Sequence, residues 1–345
     1  MIPSGPIHSL VERDLRARFS RSASNKPARL VAPKPCDGGR SGSTPWFGTC
    51  VLPLLLAFSC LPLARAASPA DWTPTQWHGE NALVSASHGW RAIVSLDRGR
   101  LVLFGPDAAD GPNLLFAPDT RDDPAGWGGH RVWLGPQARW PSIWPPPDAW
   151  EKSGPDFQTV TDGILRMLLP DAGDGWPRVT RTYQWDGARL VCGVELSGGT
   201  RPAQIIQIIQ IPRDDWTEAQ AHAEPGVPLG YVLLPAGEVH QLTKEFAAPQ
   251  HVSRQGDTLR LKHIGVIQKL GFRPEALAGG RTDGRSVTVR RGPQSGQAVD
   301  APDQGFFTQV YLGGNEPFIE LEQLTSIWAP KIPARSTVII EGAGN

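Results

Sequence analysis

The sequence predicts an all-β fold, and three observations lead to this prediction. The apolar runs are short, rich in strand-forming residues and bounded by Gly, Pro, Asp or Asn. The 345 residues include 38 Gly and 34 Pro, which favour frequent turns. Only residues 216–223 have the composition of a short helix, and Pro225 follows them. These features predict one large β-sandwich or barrel rather than alternating strands and helices.

The first 66 residues are typical of an export leader. Residues 50–63 carry no charge, are rich in Leu and are too short to span a bilayer, but they suit the core of a signal peptide. Residues 64–66, Ala-Arg-Ala, offer a small-x-small cleavage site before Ala67. We therefore expect a leader over 1–66 and one domain over 67–345, periplasmic or secreted, with no stable membrane span after processing.

Two alternatives at the N-terminus stay open. Lipidation at Cys60 fits less well than cleavage after Ala66, because bulky Phe58 lies in the box that should hold small residues. Residues 1–49 are rich in Arg, Ser and Pro and lack apolar periodicity. They either extend the leader or reflect a start codon placed too early, and in neither case do they join a core.

Thirteen runs predict the strands of the domain. In chain order they are residues 82–87, 92–96, 101–104, 164–169, 179–185, 189–196, 204–211, 231–234, 258–263, 286–290, 309–312, 317–324 and 337–341. The run 204–211, QIIQIIQI, is apolar on both faces and indicates a central strand buried between layers. Turn signals at 97–99 and 185–187 predict hairpins.

Charge and composition exclude several classes of function. Residues 1–66 carry nine Lys or Arg and three Asp or Glu, which leaves 25 basic and 31 acidic residues and a net charge of −6 in the domain. That balance argues against a nucleic-acid partner. Only Cys192 remains after the leader is removed, and its apolar surroundings indicate a packing residue. Because metal, phosphate-loop and Gly-x-Ser-x-Gly signatures are absent from the sequence, we expect no metal and no cofactor.

A tryptophan-rich segment, residues 126–150, is predicted to be a rigid loop and is the first candidate for ligand contact. Seven of the 13 tryptophans lie between Trp127 and Trp185, and prolines stiffen the segment. Aromatic rings can stack on the C–H faces of sugars while His130 and Arg131 meet the hydroxyls. The alternative is that the rings cover the edge of the sandwich.

A pair of carboxylates, Glu320 and Glu322, is the second candidate. On a strand over 317–324 they share one face, so burial and like charge should raise the pKa of at least one of them. A carboxylate of this kind can act as a general base near neutral pH. An exposed outer face with both groups solvated is equally compatible with the pattern. Lys269 either holds a ligand or is solvated.

The order of these motifs resembles the galactose mutarotase-like superfamily, and within it an uncharacterised bacterial branch. The resemblance rests on residues 128–133, GGHRVW, on the Trp-Pro-Pro segment after them, and on the late Glu320-Leu321-Glu322 strand. It covers roughly residues 81–341 and implies a galactose mutarotase-like β-supersandwich with a sugar-binding face. In aldose 1-epimerases a Glu takes the anomeric proton and a His protonates the ring oxygen. The superfamily's Asn-Gly-x-x-His-Gly motif is absent here.

The sequence and the resemblance together give a set of expected site residues. If the protein is an isomerase that interconverts sugar anomers, Glu322 or Glu320 is the base and His130 the acid. Sugar contacts are expected from the four side chains Arg131, Trp133, Trp144 and Lys269. The alternative is a glycan-binding or cell-envelope accessory protein without catalysis on the same fold. The sequence leaves the sugar and the oligomeric state open.

Overall fold

The computed structural model describes residues 71–121, 126–140, 145–213, 218–222, 231–234, 252–255, 258–262, 267–272, 276–280, 284–302, 305–313 and 315–344. All of them belong to the unit Arg65–Asn345. The leader 1–66 and Trp144 lie outside the described residues. No helix among the described residues is long and apolar enough to cross a membrane.

The described chain begins with a four-stranded antiparallel meander in which each strand pairs with the next. Its strands are β1 (Thr73–Trp77), β2 (Glu80–Ser87), β3 (Trp90–Ser95) and β4 (Arg100–Pro106). The hairpins turn at residues with positive φ, among them His78 and Gly79 between β1 and β2 and Gly99 before β4. Gly99 is the last residue of the turn signal at 97–99, and β3 pairs with β4 across it, so that predicted hairpin is confirmed.

A six-stranded antiparallel sheet carries most of the expected site residues. Its order is β12-β15-β19-β20-β10-β5. The strands are β5 (His130–Gly135), β10 (Gln204–Pro212), β12 (Tyr231–Leu234), β15 (Ile267–Phe272), β19 (Thr308–Gly313) and β20 (Phe318–Leu324). Strand β10 lies between β20 and β5 and is buried along 204–211, as its two apolar faces predict.

A ten-stranded antiparallel sheet packs against the six-stranded sheet. Its order is β13-β14-β11-β16-β17-β22-β9-β8-β7-β6. The strands are β6 (Phe157–Thr161), β7 (Ile164–Leu168), β8 (Arg178–Asp186), β9 (Arg189–Ser197), β11 (Glu218–His222), β13 (Val252–Gln255), β14 (Thr258–Lys262), β16 (Ala276–Gly280), β17 (Ser286–Ser295) and β22 (Ala334–Ala343). Strands β18 (Ala298–Asp300) and β21 (Ile327–Trp328) form a small separate pair.

The main hydrophobic core lies between these two large sheets. Ile209 and Ile211 of β10 and Ile319 and Leu321 of β20 turn inward and join side chains of the ten-stranded sheet in one buried cluster. Cys192, on β9 between β22 and β8, is completely buried there, and burial raises the pKa of its thiol. The packing role predicted for Cys192 is therefore confirmed.

Each of the thirteen predicted runs lies in a strand, apart from at most one residue at an end, and residue 263 lies outside the described residues. Two segments differ from expectation. Residues 218–222, inside the predicted helix, form strand β11 because their backbone pairs with β14 on one side and β16 on the other. Within the tryptophan-rich segment, His130–Gly135 is not a loop but strand β5. Besides residue 305, the described helical residues form one 3₁₀ turn (Gln137–Arg139) and the single-turn helix α1 (Asp148–Glu151).

Candidate functional site

The face of the six-stranded sheet that points away from the main core is lined with polar side chains. Strand register places Gln210 opposite Glu320, and Tyr311 opposite Glu320 on the other side. Residues opposite one another in an antiparallel pair share a face. We call this set the polar face; it comprises Arg131, Trp133, Gln210, Lys269, Gln309, Tyr311, Glu320 and Glu322.

Arg131 is the centre of the polar face. Its Nη1 donates to Glu320 Oε1 at 3.0 Å, and its Nη2 and Nε donate to Glu151 at 2.8 and 3.2 Å. The guanidinium also stacks over the ring of Trp133, with its Cζ 4.5 Å from the ring centroid. Trp133 Nε1 donates to Glu151 Oε2 at 2.8 Å, so the carboxylate of Glu151 holds both side chains in place. Such a planar, two-pronged pairing fixes orientation as well as charge.

Helix α1 brings Glu151 to the sheet although it is only one turn long. Two buried arginines hold its end: Arg100 donates to the carbonyl of Glu151, and Arg181 Nη2 donates to the carbonyl of Trp150 at 3.2 Å. Arg100 also lies 3.5 Å from the Glu151 carboxylate. The backbone and the side chain of Glu151 are thus both fixed by groups from other strands.

A second ion pair of the polar face, between Lys269 and Glu322, lies further along the sheet. Lys269 Nζ is 2.9 Å from Glu322 Oε2, and the Lys269 side chain is 22% exposed while that of Glu322 is 3% exposed. Gln210 Nε2 donates to Glu320 Oε1 at 2.8 Å, whereas the buried Gln210 Oε1 accepts no hydrogen bond from any described residue. Lys269 and Tyr311 are the partly exposed members, so a ligand would reach the polar face on their side.

Burial and neighbouring charges give the carboxyls of this region different pKa values. Burial raises the pKa of Glu320 to about 7, Arg131 opposes this shift, and Glu322 adds to it. For Glu151, burial acts upward but is outweighed by Arg131 and Arg100, which bring the pKa down to about 2. Burial, with the negative charge of Glu320, also raises the pKa of Tyr311, which keeps its hydroxyl a donor. Glu320 can therefore exchange a proton near neutral pH, and Glu151 stays ionised.

His130 lies on the opposite side of the same sheet. It is completely buried, and its ring nitrogens are 3.1 Å from Gln207 Oε1 and 3.3 Å from the Tyr183 hydroxyl. Burial lowers its pKa to about 3, and the nearby Arg181 adds to the shift. The expected convergence of His130 with the carboxylates is not observed, because alternation along β5 turns His130 into the core and Arg131 out of it.

The structure brings together Arg131, Trp133 and Glu320, and places Lys269 with Glu322 on the same face. Sequence reasoning missed Glu151, Gln210 and Tyr311. The glutamines recurring every third residue in QIIQIIQI were a usable signal, because a buried amide in an apolar strand needs a partner. Within the described residues, no group of three or more His, Cys, Asp or Glu could hold a metal ion.

Comparison with known proteins identifies the fold. No family model and no curated protein matches the sequence. Among solved structures, a candidate aldose 1-epimerase of Escherichia coli K12 superposes with a TM-score of 0.55 at 12% identity, covering 80% of this chain and 100% of that one. A galactose mutarotase-related enzyme of Lactobacillus acidophilus superposes with a TM-score of 0.51 at 10% identity, covering 76% and 97%.

The similarity to these two structures identifies the fold of the chain. The chain is an all-β protein with the galactose mutarotase-like β-supersandwich fold. The predicted fold class is therefore confirmed.

Proposed function

We propose that this protein binds a sugar on the polar face of the six-stranded sheet. The observation that carries the proposal is the buried array of fixed donors and acceptors around Arg131, Glu320 and Gln210. A buried ion pair contributes little to stability compared with apolar residues of similar size, so such an array is a poor device for stability alone. Gln210 Oε1, which accepts no hydrogen bond from a described residue, suits a ligand hydroxyl.

Sugar is the ligand class that best matches this chemistry. A pyranose presents hydroxyls that both donate and accept, and the polar face offers cationic donors, carboxylate acceptors and a tyrosine hydroxyl. Two cations, Arg131 and Lys269, lie among three carboxylates, Glu151, Glu320 and Glu322. The mutarotase-like names of the structural neighbours support the same ligand class.

Anomer interconversion is the second candidate function, and the raised pKa of Glu320 favours it. In this reaction a base takes the proton of the anomeric hydroxyl, the bond between C1 and the ring oxygen breaks, and an acid protonates that oxygen. Rotation of the aldehyde and the reverse steps give the other anomer. Glu322, which pairs with Lys269, is the proposed base, and protonated Glu320 is the proposed acid in place of His130.

Calorimetric titration and polarimetry on fresh α-anomers of glucose and galactose test both functions. Glu322→Gln keeps the shape and removes the base, so it should abolish mutarotation and leave sugar binding largely intact. Glu320→Gln should weaken binding and also stop turnover. A wild-type protein that binds sugar without a rate above buffer refutes the enzyme and leaves the binding protein. A wild-type protein that neither binds nor turns over any sugar refutes both.

We also propose that the protein is exported and begins at Ala67. The support is the uncharged run 50–63 followed by the cleavage pattern at 64–66. N-terminal sequencing of exported protein tests this. A lipid-modified start at Cys60 would refute the soluble form, and retention of residues 1–66 would refute export.

A further inference from the structure

A polar cleft lies beside the four-stranded meander β1–β4, and none of the polar-face residues lines it. Its volume is about 590 Å³, within the roughly 300–1,000 Å³ that small-molecule sites occupy. It lies between the turn that joins β1 to β2, the segment 119–121, Trp127 and the residue after α1. The side chains that matter are His78, Glu80, Asp119, Arg121, Trp127 and Lys152.

The back of the cleft is a rigid, buried ion pair. Arg98 Nε donates to both oxygens of Glu80, at 2.9 and 3.0 Å, and Ser95 donates to the same carboxylate at 2.6 Å. Arg98 Nη1 donates to the carbonyl of Trp127 at 2.9 Å. Glu80 and Trp127 both line the cleft, so Arg98 ties two of its walls together.

The remaining nitrogen of this guanidinium, Arg98 Nη2, is buried and has no hydrogen-bond partner among the described residues. In the planar guanidinium, Nη2 lies next to the Nε–H group that donates to Glu80. Arg98 is 1% exposed, so this donor does not reach bulk water. Arg98 does not itself line the cleft, so its role there is to hold Glu80 and Trp127 in place.

Trp127 supplies the apolar surface of the cleft. The guanidinium of Arg100 covers its ring, with the Cζ 5.5 Å from the ring centroid, and its Nε1 donates to the carbonyl of Arg121 at 3.0 Å. The ring is thus held on one side and by its edge while it remains partly exposed and lines the cleft. A fixed aromatic surface of this kind suits the C–H face of a sugar ring.

The charges of the cleft define the ligand further. Arg98 balances Glu80, and His78 Nε2 lies 3.2 Å from Asp119 Oδ1. Arg121 and Lys152 are the further cations of the cleft. A metal ion would be repelled by the two cations, and a bare phosphate would make no use of the aromatic ring. The side chains of Arg121 and Lys152 are 49% and 55% exposed, so their partners in the protein, Glu80 at 3.6 Å and Asp148 at 3.8 Å, hold them only weakly.

We propose that this cleft is a second carbohydrate site that binds an acidic sugar, a pyranose ring bearing a carboxylate. The carboxylate pairs with Arg121 and Lys152, the ring stacks on Trp127, and ring hydroxyls meet Asp119. The site goes beyond the proposed function, because it requires neither the polar face nor any catalysis.

Calorimetric titration of the full-length domain with D-glucuronate and with neutral D-glucose tests the proposal. The double variant Arg121→Ala with Lys152→Ala should lose about tenfold or more of the glucuronate affinity, the loss expected for about one charge-assisted hydrogen bond. Its glucose affinity should change less than twofold. The matched control is Arg335→Ala, which removes a similarly exposed arginine that pairs with Glu195 and does not line the cleft.

The outcomes separate this site from the polar face. Glucuronate binding that survives the double variant, that falls equally in Arg335→Ala, or that is absent from wild type overturns the proposal. Loss of glucuronate binding in Glu320→Gln instead of the double variant also overturns it and assigns acidic sugars to the polar face. If glucuronate binding requires Arg121 and Lys152 while no sugar binding depends on Glu320, the cleft stands and the polar-face proposal fails.

Discussion

The raised pKa of the buried Glu320 predicts that the stability of the protein falls as pH rises. Its pKa rises from 4.5 to about 7 on folding, so between these values the folded state holds more protons than the unfolded state. Stability from this group is fully present below pH 4.5 and is lost as pH rises through about 7. Each pH unit in the window costs up to about 1.4 kcal/mol, or roughly 3 kcal/mol in total.

Glu320→Gln removes this titration and leaves the side-chain shape. The free energy of unfolding of the variant minus that of wild type should therefore rise by roughly 3 kcal/mol between pH 4.5 and pH 8. Urea unfolding followed by tryptophan fluorescence at half-unit steps of pH measures it, and titrating groups that do not interact with Glu320 cancel in the difference. Glu341→Gln is the control, the same chemical change at a side chain 25% exposed beside Arg189 and Arg290. A difference for Glu320→Gln that is flat or falls with pH refutes the reasoning.

Three further predictions concern groups around the polar face. The pKa of His130 is lowered from 6.5 to about 3, so the stability that neutral His130 contributes is present above pH 6.5 and is lost as pH falls toward 3. His130→Gln should therefore reduce the fall in the free energy of unfolding between pH 6.5 and pH 3, as measured by acid unfolding. Glu151→Gln leaves Arg131 buried with one carboxylate fewer and should cost about 3–5 kcal/mol in chemical denaturation; an effect below 1 kcal/mol would contradict the central role of this pair. Gly129→Ala should destabilise by about 2 kcal/mol or more in the same assay, because φ is +71° and a Cβ would clash with the Leu101 carbonyl oxygen. Unchanged stability would contradict that clash.

The fold was predictable because period-two patterns and turn residues act locally. The QIIQIIQI run predicted a doubly covered strand, and β10 is one. Alternation also placed Glu320 and Glu322 on one face, where burial raises the pKa of Glu320 as expected. The position of Glu151 could not be predicted in this way, because it depends on partners that are distant in sequence. Glu151 sits on a single turn without periodicity and is fixed by Arg100, 51 residues earlier.

Two errors of sequence reasoning have the same physical origin. Ala, Glu and Gln in residues 218–222 favour a helix locally, but all five residues pair with both β14 and β16, and this pairing outweighs that preference. His130 and Arg131 are neighbours in sequence, which suggested a shared site. On strand β5 neighbours point to opposite faces, so strand assignment had to come before site assignment.

The buried thiol of Cys192 makes the protein its own reporter of global opening. In the described part of the chain it is the free cysteine, and it lies in the middle of the ten-stranded sheet with no exposed surface. Because the thiolate is the reactive form and burial disfavours it, an alkylating reagent should modify Cys192 only in molecules whose two large sheets have separated. The labelling rate then measures opening of the sandwich directly, without any engineered probe.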